Sequence, residues 1–257
     1  MQRPAYAEII ERLRSIVDEF GGTLTARAEA DGYPLYHVEL QGPAGSPRFL
    51  LSAGIHGEEP GAPVGLLDWF EHAASRWLNV FSIEAFPCLN PYGYERGVRC
   101  DAAGRDLNRC FREEDPPPAI AMVRSTCASR RYAMAVDMHE DCDYLGFYLY
   151  ERLADGPAVA PALLARVSME GPVSYGEEGD DPPIEKGLVR LQDPRGVPLE
   201  QLAQGRDRWP LAFYLYHVAD HVITVETPGQ QPLRLRARMQ RAAVETALSF
   251  TQGRLGL

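Results

Sequence analysis

Apolar residues recur at Tyr6, Ile9, Ile10, Leu13, Ile16, Val17 and Phe20, the spacing of one helical face, and Gly21-Gly22 stops the pattern. The period then shortens to that of strands. Thr23 to Ala30 and Tyr33 to Leu40 flank Asp31-Gly32, the dipeptide of a two-residue hairpin, which predicts an antiparallel pair at the edge of a sheet. Arg48 to Ser52 reads as a buried strand. Val64 to Leu78 reads as a helix with Leu67, Phe70, Ala74 and Trp77 along one side, and Val80 to Phe86 as the next strand. Asn90-Pro91-Tyr92-Gly93 opens an irregular stretch that runs to Glu114 and carries Arg96, Arg99, Arg105, Arg109 and Arg112. Beyond it the pattern predicts a helix over Ala119 to Ser129 and a strand over Tyr132 to Met138 with His139 immediately after it. A strand over Gly146 to Tyr150 and a helix over Pro161 to Met169 follow. Gly171 to Gly205 is rich in Gly, Pro and acids and too long for an ordinary connection, so it reads as a functional or partly mobile surface loop. After Pro210 an aromatic run leads into Val222 to Val225, a strand ending in Glu226-Thr-Pro-Gly, and Pro232 opens a last helix reaching about Thr251.

Strands alternating with helices predict an α/β fold: three α/β/α layers around a mixed, mostly parallel sheet, with its antiparallel section on the N-terminal side. The expected organisation is a single catalytic domain over residues 1–257. In open α/β sheets ligands bind beyond the carboxyl ends of the strands. His56, His139 and Glu226 each follow such an end, so three distant segments are expected to deliver polar groups to one rim.

Composition narrows the partners. The chain is 45% hydrophobic and 24% charged, with a formal net charge of −10, and shows no long basic face for nucleic acid. Arg234, Arg238 and Arg241 share one face of the last helix, where solvation explains them best. Five cysteines, without a Cys-x-x-Cys pair, argue for reduced thiols. The N-terminal residues lack the apolar core of a signal peptide, and no segment approaches the ~20 apolar residues of a membrane span. The expectation is a cytoplasmic protein with neither nucleic acid nor membrane as partner.

The chemistry gathers around Leu50-Leu-Ser-Ala-Gly-Ile-His56-Gly-Glu-Glu59. An imidazole and a carboxylate this close on a tight turn can converge on one cation as half of a zinc site, although such a pair is also common in solvated loops. A catalytic zinc takes three protein ligands and leaves a position for water or substrate; His139 completes that count. The alternative for His139 is a histidine satisfied by a backbone hydrogen bond. Asp137 could orient a ligand histidine. Glu226, closing Val-Ile-Thr-Val, is the candidate general base and acid, a salt bridge to an arginine being the other reading. Asn108 and Arg109 together offer an amide donor and a planar fork suited to a free carboxylate, while Arg99 could stabilise an oxyanion.

Taken together, His56-Gly57-Glu58-Glu59, Arg99, Gly104-Arg-Asp-Leu-Asn108-Arg109, His139 and Glu226 resemble, in order and across most of the chain, the M14 zinc carboxypeptidases. That resemblance implies their phosphorylase/hydrolase-like fold, one Zn2+ held by His56, Glu59 and His139, and Glu226 as general base and acid. It also implies Arg99 on the oxyanion and Asn108 with Arg109 on the substrate's terminal carboxylate. Family members often carry a substrate-capping tyrosine some twenty residues before the catalytic glutamate. Gln201 to Arg208 contains none; Tyr175, in the long acidic loop, is the candidate substitute, the other reading being a surface aromatic. Asp106-Leu-Asn-Arg109 and Glu226-Thr-Pro-Gly equally resemble the N-acyl amino acid deacylases of the aspartoacylase and succinylglutamate desuccinylase type. Those enzymes usually append a β domain, whereas the 31 residues after Glu226 look like one helix, which favours removal of a C-terminal residue from a peptide. Cleavage of peptidoglycan stem peptides is a further branch of the same resemblance.

Other chemistries find less support. His217 and His221 stand four apart, but Val-Ala-Asp between them lacks the glutamate of a zincin helix, so they read as packing or surface residues, and His37 and His72 are expected to have no partner nearby. No Gly-x-Ser-x-Gly elbow or phosphate-cradling glycine loop occurs. A metal-dependent carboxylate-binding module without turnover would be expected to lack Glu226 or a ligand, and all are present.

Overall fold

In the computed structural model, which describes residues 2–153, 156–176, 183–189 and 208–257, four parallel strands form the centre of the sheet. They are β3 (Arg48–Ala53), β4 (Ser82–Phe86), β5 (Met134–Asp141) and β9 (His221–Pro228). Around them lie β1 (Thr23–Ala30), β2 (Tyr33–Leu40), β6 (Tyr148–Leu153), β7 (Ile184–Glu185) and β8 (Leu188–Val189). The order is β1-β2-β4-β3-β5-β9-β6-β8-β7. The β1/β2 hairpin turns through Asp31 and Gly32, both with positive φ, as its dipeptide requires.

Side-chain alternation divides the core. Phe49 and Leu51 of β3, Met134, Val136 and Met138 of β5, and Ile223 and Val225 of β9 face one layer. That layer contains α1 (Tyr6–Glu19), α2 (Gly61–His72), α5 (Ala160–Val167) and α7 (Leu233–Leu255). Leu50, Phe86, Ala135 and Val222 face the other layer, with α4 (Pro118–Cys127) and α6 (Leu211–Val218). The predicted three-layer α/β/α architecture with a mixed, mostly parallel sheet is the one observed.

Several boundaries differ. The helix expected from Val64 starts at Gly61 and stops at His72, giving way to a 3-10 turn at Ala74–Trp77. The irregular stretch hides a six-residue helix, α3 (Pro91–Arg96), whose Asn90 side chain caps it by accepting from the Gly93 N–H at 2.9 Å. His139 and Glu226 lie within their strands, because β5 and β9 continue pairing to Asp141 and Pro228. A second antiparallel section, β6 on β9 and β7 on β8, closes the far side of the sheet. Much of Gly171 to Gly205, at 177–182 and 190–205, lies outside the described residues. His217 lies in the last turn of α6 and stacks on Trp209, while His221 opens β9 beside Glu151 at 2.7 Å, so no helix face joins the two histidines. All five cysteines are free. Among the described residues no helix is long and apolar enough to cross a membrane.

The expectation that His37 and His72 lack partners is overturned: His72 Nδ1 lies 2.9 Å from the Asp68 carbonyl oxygen and 3.3 Å from Asp68 Oδ1, and His37 joins a buried cluster. Near the amino ends of the parallel strands, buried Glu84 accepts from Arg48 at 2.9 Å and from the Tyr132 hydroxyl at 3.0 Å, and also from Arg130, while His37 Nε2 lies 3.2 Å away. Burial would raise the Glu84 carboxyl, but His37, Arg130 and Tyr132 outweigh it and hold it below the ordinary value. His37, Glu39 and Glu84 lie close enough to suggest a cation, but the arginines already supply that charge.

Candidate active site

The site lies at the opposite, carboxyl end of those strands, on the face shared with α4 and α6. The loop after β3 brings His56 and Glu59 there, both almost fully buried. Because residues two apart in a strand share a face, β5 presents Asp137 and His139 on this side, β9 presents Thr224 and Glu226, and β6 presents Tyr148 and Tyr150. The register sets His139 opposite Glu226, and Glu226 opposite Tyr148. A cavity of about 670 Å³ opens over them, a volume typical of small-molecule sites.

His56 Nδ1 lies 2.5 Å from Glu59 Oε1, and His139 Nδ1 lies 2.9 Å from Glu59 Oε2. The outer nitrogens are held as well: His56 Nε2 is 3.1 Å from Asp106 Oδ1 and His139 Nε2 is 3.2 Å from Asp137 Oδ2. Each imidazole thus has a carboxylate fixing its ring and keeping Nδ1 for the centre, the outer-shell arrangement of metal-binding histidines. Burial alone would raise the Glu59 carboxyl, but His139 and His56 hold it well below its usual range. Burial would lower His139, but Asp137 and Glu59 raise it well above the ordinary value. Two imidazole nitrogens converging on one buried carboxylate call for positive charge between them, either protons or a cation. The candidate ligand atoms all lie within 4.8 Å of one another. Nitrogen, nitrogen and oxygen donors so placed fit zinc, whose bonds to them are ~2.0–2.2 Å.

Asp106, to which the motifs assign no role, organises the arginine side of the cavity. Its Oδ1 accepts from the Asn108 N–H at 3.0 Å, capping the 3-10 turn Leu107–Arg109, and its Oδ2 accepts from Arg99 Nε at 3.0 Å. Burial opposes this carboxylate, but His56 and Arg99 hold it ionised, well below the usual range. Arg99 Nη1 is also 3.5 Å from Glu58 and 3.7 Å from Glu59, so Glu58, without an assigned role in the sequence, faces the arginine. Asn108 Oδ1 accepts from the Leu211 N–H at 2.7 Å, tying the turn to the start of α6. Arg109 Nη1 donates to the Asn108 carbonyl at 2.8 Å, and both residues line the cavity.

Glu226 is raised well above the ordinary carboxyl value, by burial first and then by Glu59, Asp141 and Asp137, with His139 opposing. The Tyr148 hydroxyl donates to Asp141 Oδ2 at 2.5 Å, and burial together with Glu226 keeps the phenol protonated. The structure therefore brings His56, Glu59, Arg99, Asn108, Arg109, His139 and Glu226 to one cavity. Tyr175 stands apart, 77% exposed and not among the lining residues. The tyrosines lining the cavity are Tyr148, Tyr150 and Tyr216, beside Arg208 and Phe213. Alternation along Tyr148-Leu-Tyr150 was the sequence signal for the first two; Asp106, standing two residues before Asn108, carried the signal of an N-cap.

Solved structures share this fold. A candidate metallopeptidase from Shewanella amazonensis SB2B superposes with a TM-score of 0.78 at 24% identity, over 95% of this chain and 92% of that one. A metallo-carboxypeptidase from Burkholderia cenocepacia gives 0.69 at 17% identity, covering 97% of this chain and 70% of that one. Bovine thrombin-activatable fibrinolysis inhibitor, in complex with tick carboxypeptidase inhibitor, also gives 0.69, at 13% identity over 98% of both chains. At these identities the likeness is one of fold. No curated protein matches the chain. The family model of the succinylglutamate desuccinylase/aspartoacylase catalytic domain matches residues 45–252, a span holding every one of the cavity's metal-ligand candidates, and the chain belongs to that family of hydrolases.

Proposed function

We propose that the protein is a zinc-dependent hydrolase of an amide bond beside a free carboxylate, acting through one catalytic domain as a carboxypeptidase. The observation that carries this reading is the convergence of His56 Nδ1 and His139 Nδ1 on the two oxygens of Glu59, with Glu226 on the neighbouring strand. His56, Glu59 and His139 would hold the ion. When bound, zinc supplies Lewis acidity, lowering the pKa of water and polarising a carbonyl.

The chain's own groups do the rest. Glu226 takes a proton from the attacking water and returns it to the leaving amine, a role that its place opposite His139 in the sheet and in the cavity lining supports. Arg99, steadied by Asp106, turns a guanidinium toward the oxyanion. Arg109 and the Asn108 amide receive the substrate carboxylate, which fixes the amide that reaches the ion. Tyr148 lies beside Glu226 with its hydroxyl donating to Asp141, so that its fixed ring forms a wall of the cavity against which a substrate is positioned.

A second reading, an N-acyl amino acid deacylase, is favoured by the family match over residues 45–252. The two share the chemistry and differ in what lies on the acyl side of the amide. Mass-spectrometric screening of the zinc-loaded protein against peptides, peptidoglycan stem peptides and N-acyl amino acids separates them. Release of C-terminal residues from peptides is the expected result; turnover of N-acyl amino acids alone would replace it with the second reading, and no turnover of any carboxylate-bearing amide would overturn both.

A further inference from the structure

Strand alternation sends His139 toward the cavity and Glu140 to the opposite face, into the layer of α2 and α7. A carboxylate whose side chain is 1% exposed there needs compensation. It receives three hydrogen bonds: from the Gly61 N–H at 2.7 Å, from Arg236 Nη1 at 2.7 Å and from the Thr227 hydroxyl at 3.2 Å. Its own N–H donates to Glu59 Oε2 at 3.1 Å. The loop and the strand therefore clasp each other: Glu59 takes the backbone of Glu140, and Glu140 takes the backbone two residues beyond Glu59. Gln240, fully buried one helical turn after Arg236, donates to the His139 carbonyl at 2.7 Å and to Thr227 Oγ1 at 3.1 Å. The approach is close enough to exclude side chains. A Cβ at Gly61 would lie 2.1 Å from Glu140 Oε1, and one at Gly65 would lie 2.4 Å from the Gln240 Cβ.

From this geometry we propose that Arg236 and Gln240 of α7 are positioning residues of the metal centre. Arg236 holds Glu140, and through it the Gly61 end of the ligand loop; Gln240 holds the backbone of His139 itself. The last helix thereby sets the distance between the His56–Glu59 pair and His139, although it contributes no group to the cavity floor. The proposal rests on the reading of His56, Glu59 and His139 as zinc ligands.

The test is zinc affinity, measured by chelator competition below the melting temperature of each variant, for the full chain and for Gln240→Leu, Arg236→Met, Arg236→Lys and Tyr132→Phe. Loss of an outer-shell partner typically weakens a metal site about 10- to 100-fold, and that loss is expected for Gln240→Leu and Arg236→Met, with recovery in Arg236→Lys. Tyr132→Phe, which loosens the Glu84 cluster at the far end of the sheet, is expected to lower Tm and leave zinc affinity unchanged. Zinc affinity within twofold of wild type in folded Gln240→Leu and Arg236→Met overturns the proposal. Should Arg236→Met not fold, wild-type affinity in Gln240→Leu overturns it alone. A wild-type chain that binds no zinc instead removes the metal reading on which the proposal stands.

Discussion

Asp106 Oδ1 lies 3.1 Å from His56 Nε2 while Asp106 Oδ2 accepts from Arg99 Nε, so one carboxylate ties a candidate metal ligand to the candidate oxyanion arginine. The same oxygen that faces His56 caps the turn carrying Asn108 and Arg109. Ligand orientation and substrate recognition are therefore mechanically linked through a single side chain.

Asp106→Asn tests that link. The amide keeps the size but loses the charge that fixes the His56 ring and steadies Arg99. Zinc affinity should fall about 10- to 100-fold, and kcat/KM should fall further than zinc loss explains once the site is saturated with metal. Chelator competition and kinetics at saturating zinc measure the two parts; wild-type values in both would contradict the role given to Asp106.

Arg109→Ala removes the fork offered to the substrate carboxylate. Charge-assisted hydrogen bonds contribute roughly 1.5–3 kcal/mol, so kcat/KM should drop about 10- to 100-fold for substrates with a free carboxylate, mainly through KM. Wild-type protein should discriminate by a similar factor against the same substrates amidated at that carboxylate. Equal turnover of acid and amide would contradict the assignment.

At the other end of the sheet, Glu84 answers a question of stability. Its carboxyl is held below the ordinary value in the folded chain, so its contribution is complete above the unfolded-state pKa and is lost as pH falls through the folded one. Glu84→Gln leaves Arg48, Arg130 and His37 without their shared anion. The cost expected for breaking such a buried pair is about 3 kcal/mol near pH 7, a Tm lower by roughly 6–12 °C for a chain of this size. Calorimetry across pH should show the gap between wild type and variant narrowing as pH drops below the usual carboxylate range. A gap that widens on acidification would contradict the sign.

What could be read from the chain alone follows from how far apart partners lie. His56 and Glu59 share one turn, and the Asp31-Gly32 hairpin is a local matter of backbone conformation, so both were legible. The α/β layering was legible because each strand and helix carries its own period. The short helix Pro91–Arg96 was not, since six residues give too little periodicity and only Asn90-Pro91 marks its start. Long-range pairing was hidden for a different reason. Asp106 meets His56 across 50 positions and Glu140 meets Arg236 across 96, and no local pattern encodes which charge a buried carboxylate will find. His139 and Glu226 were expected just past their strands; continued pairing of β5 and β9 keeps them inside, which fixes their separation by register rather than by loop conformation.

The central claim is that a zinc held by His56, Glu59 and His139 works with Glu226 as the proton carrier. Metal content and amide hydrolysis, measured together on the wild type and Glu226→Gln, test it most directly. One zinc per chain in both proteins is expected, with kcat lower in the variant by about 10²–10⁴, the usual contribution of general acid–base catalysis. A Glu226→Gln protein that retains both its zinc and full activity would contradict the account.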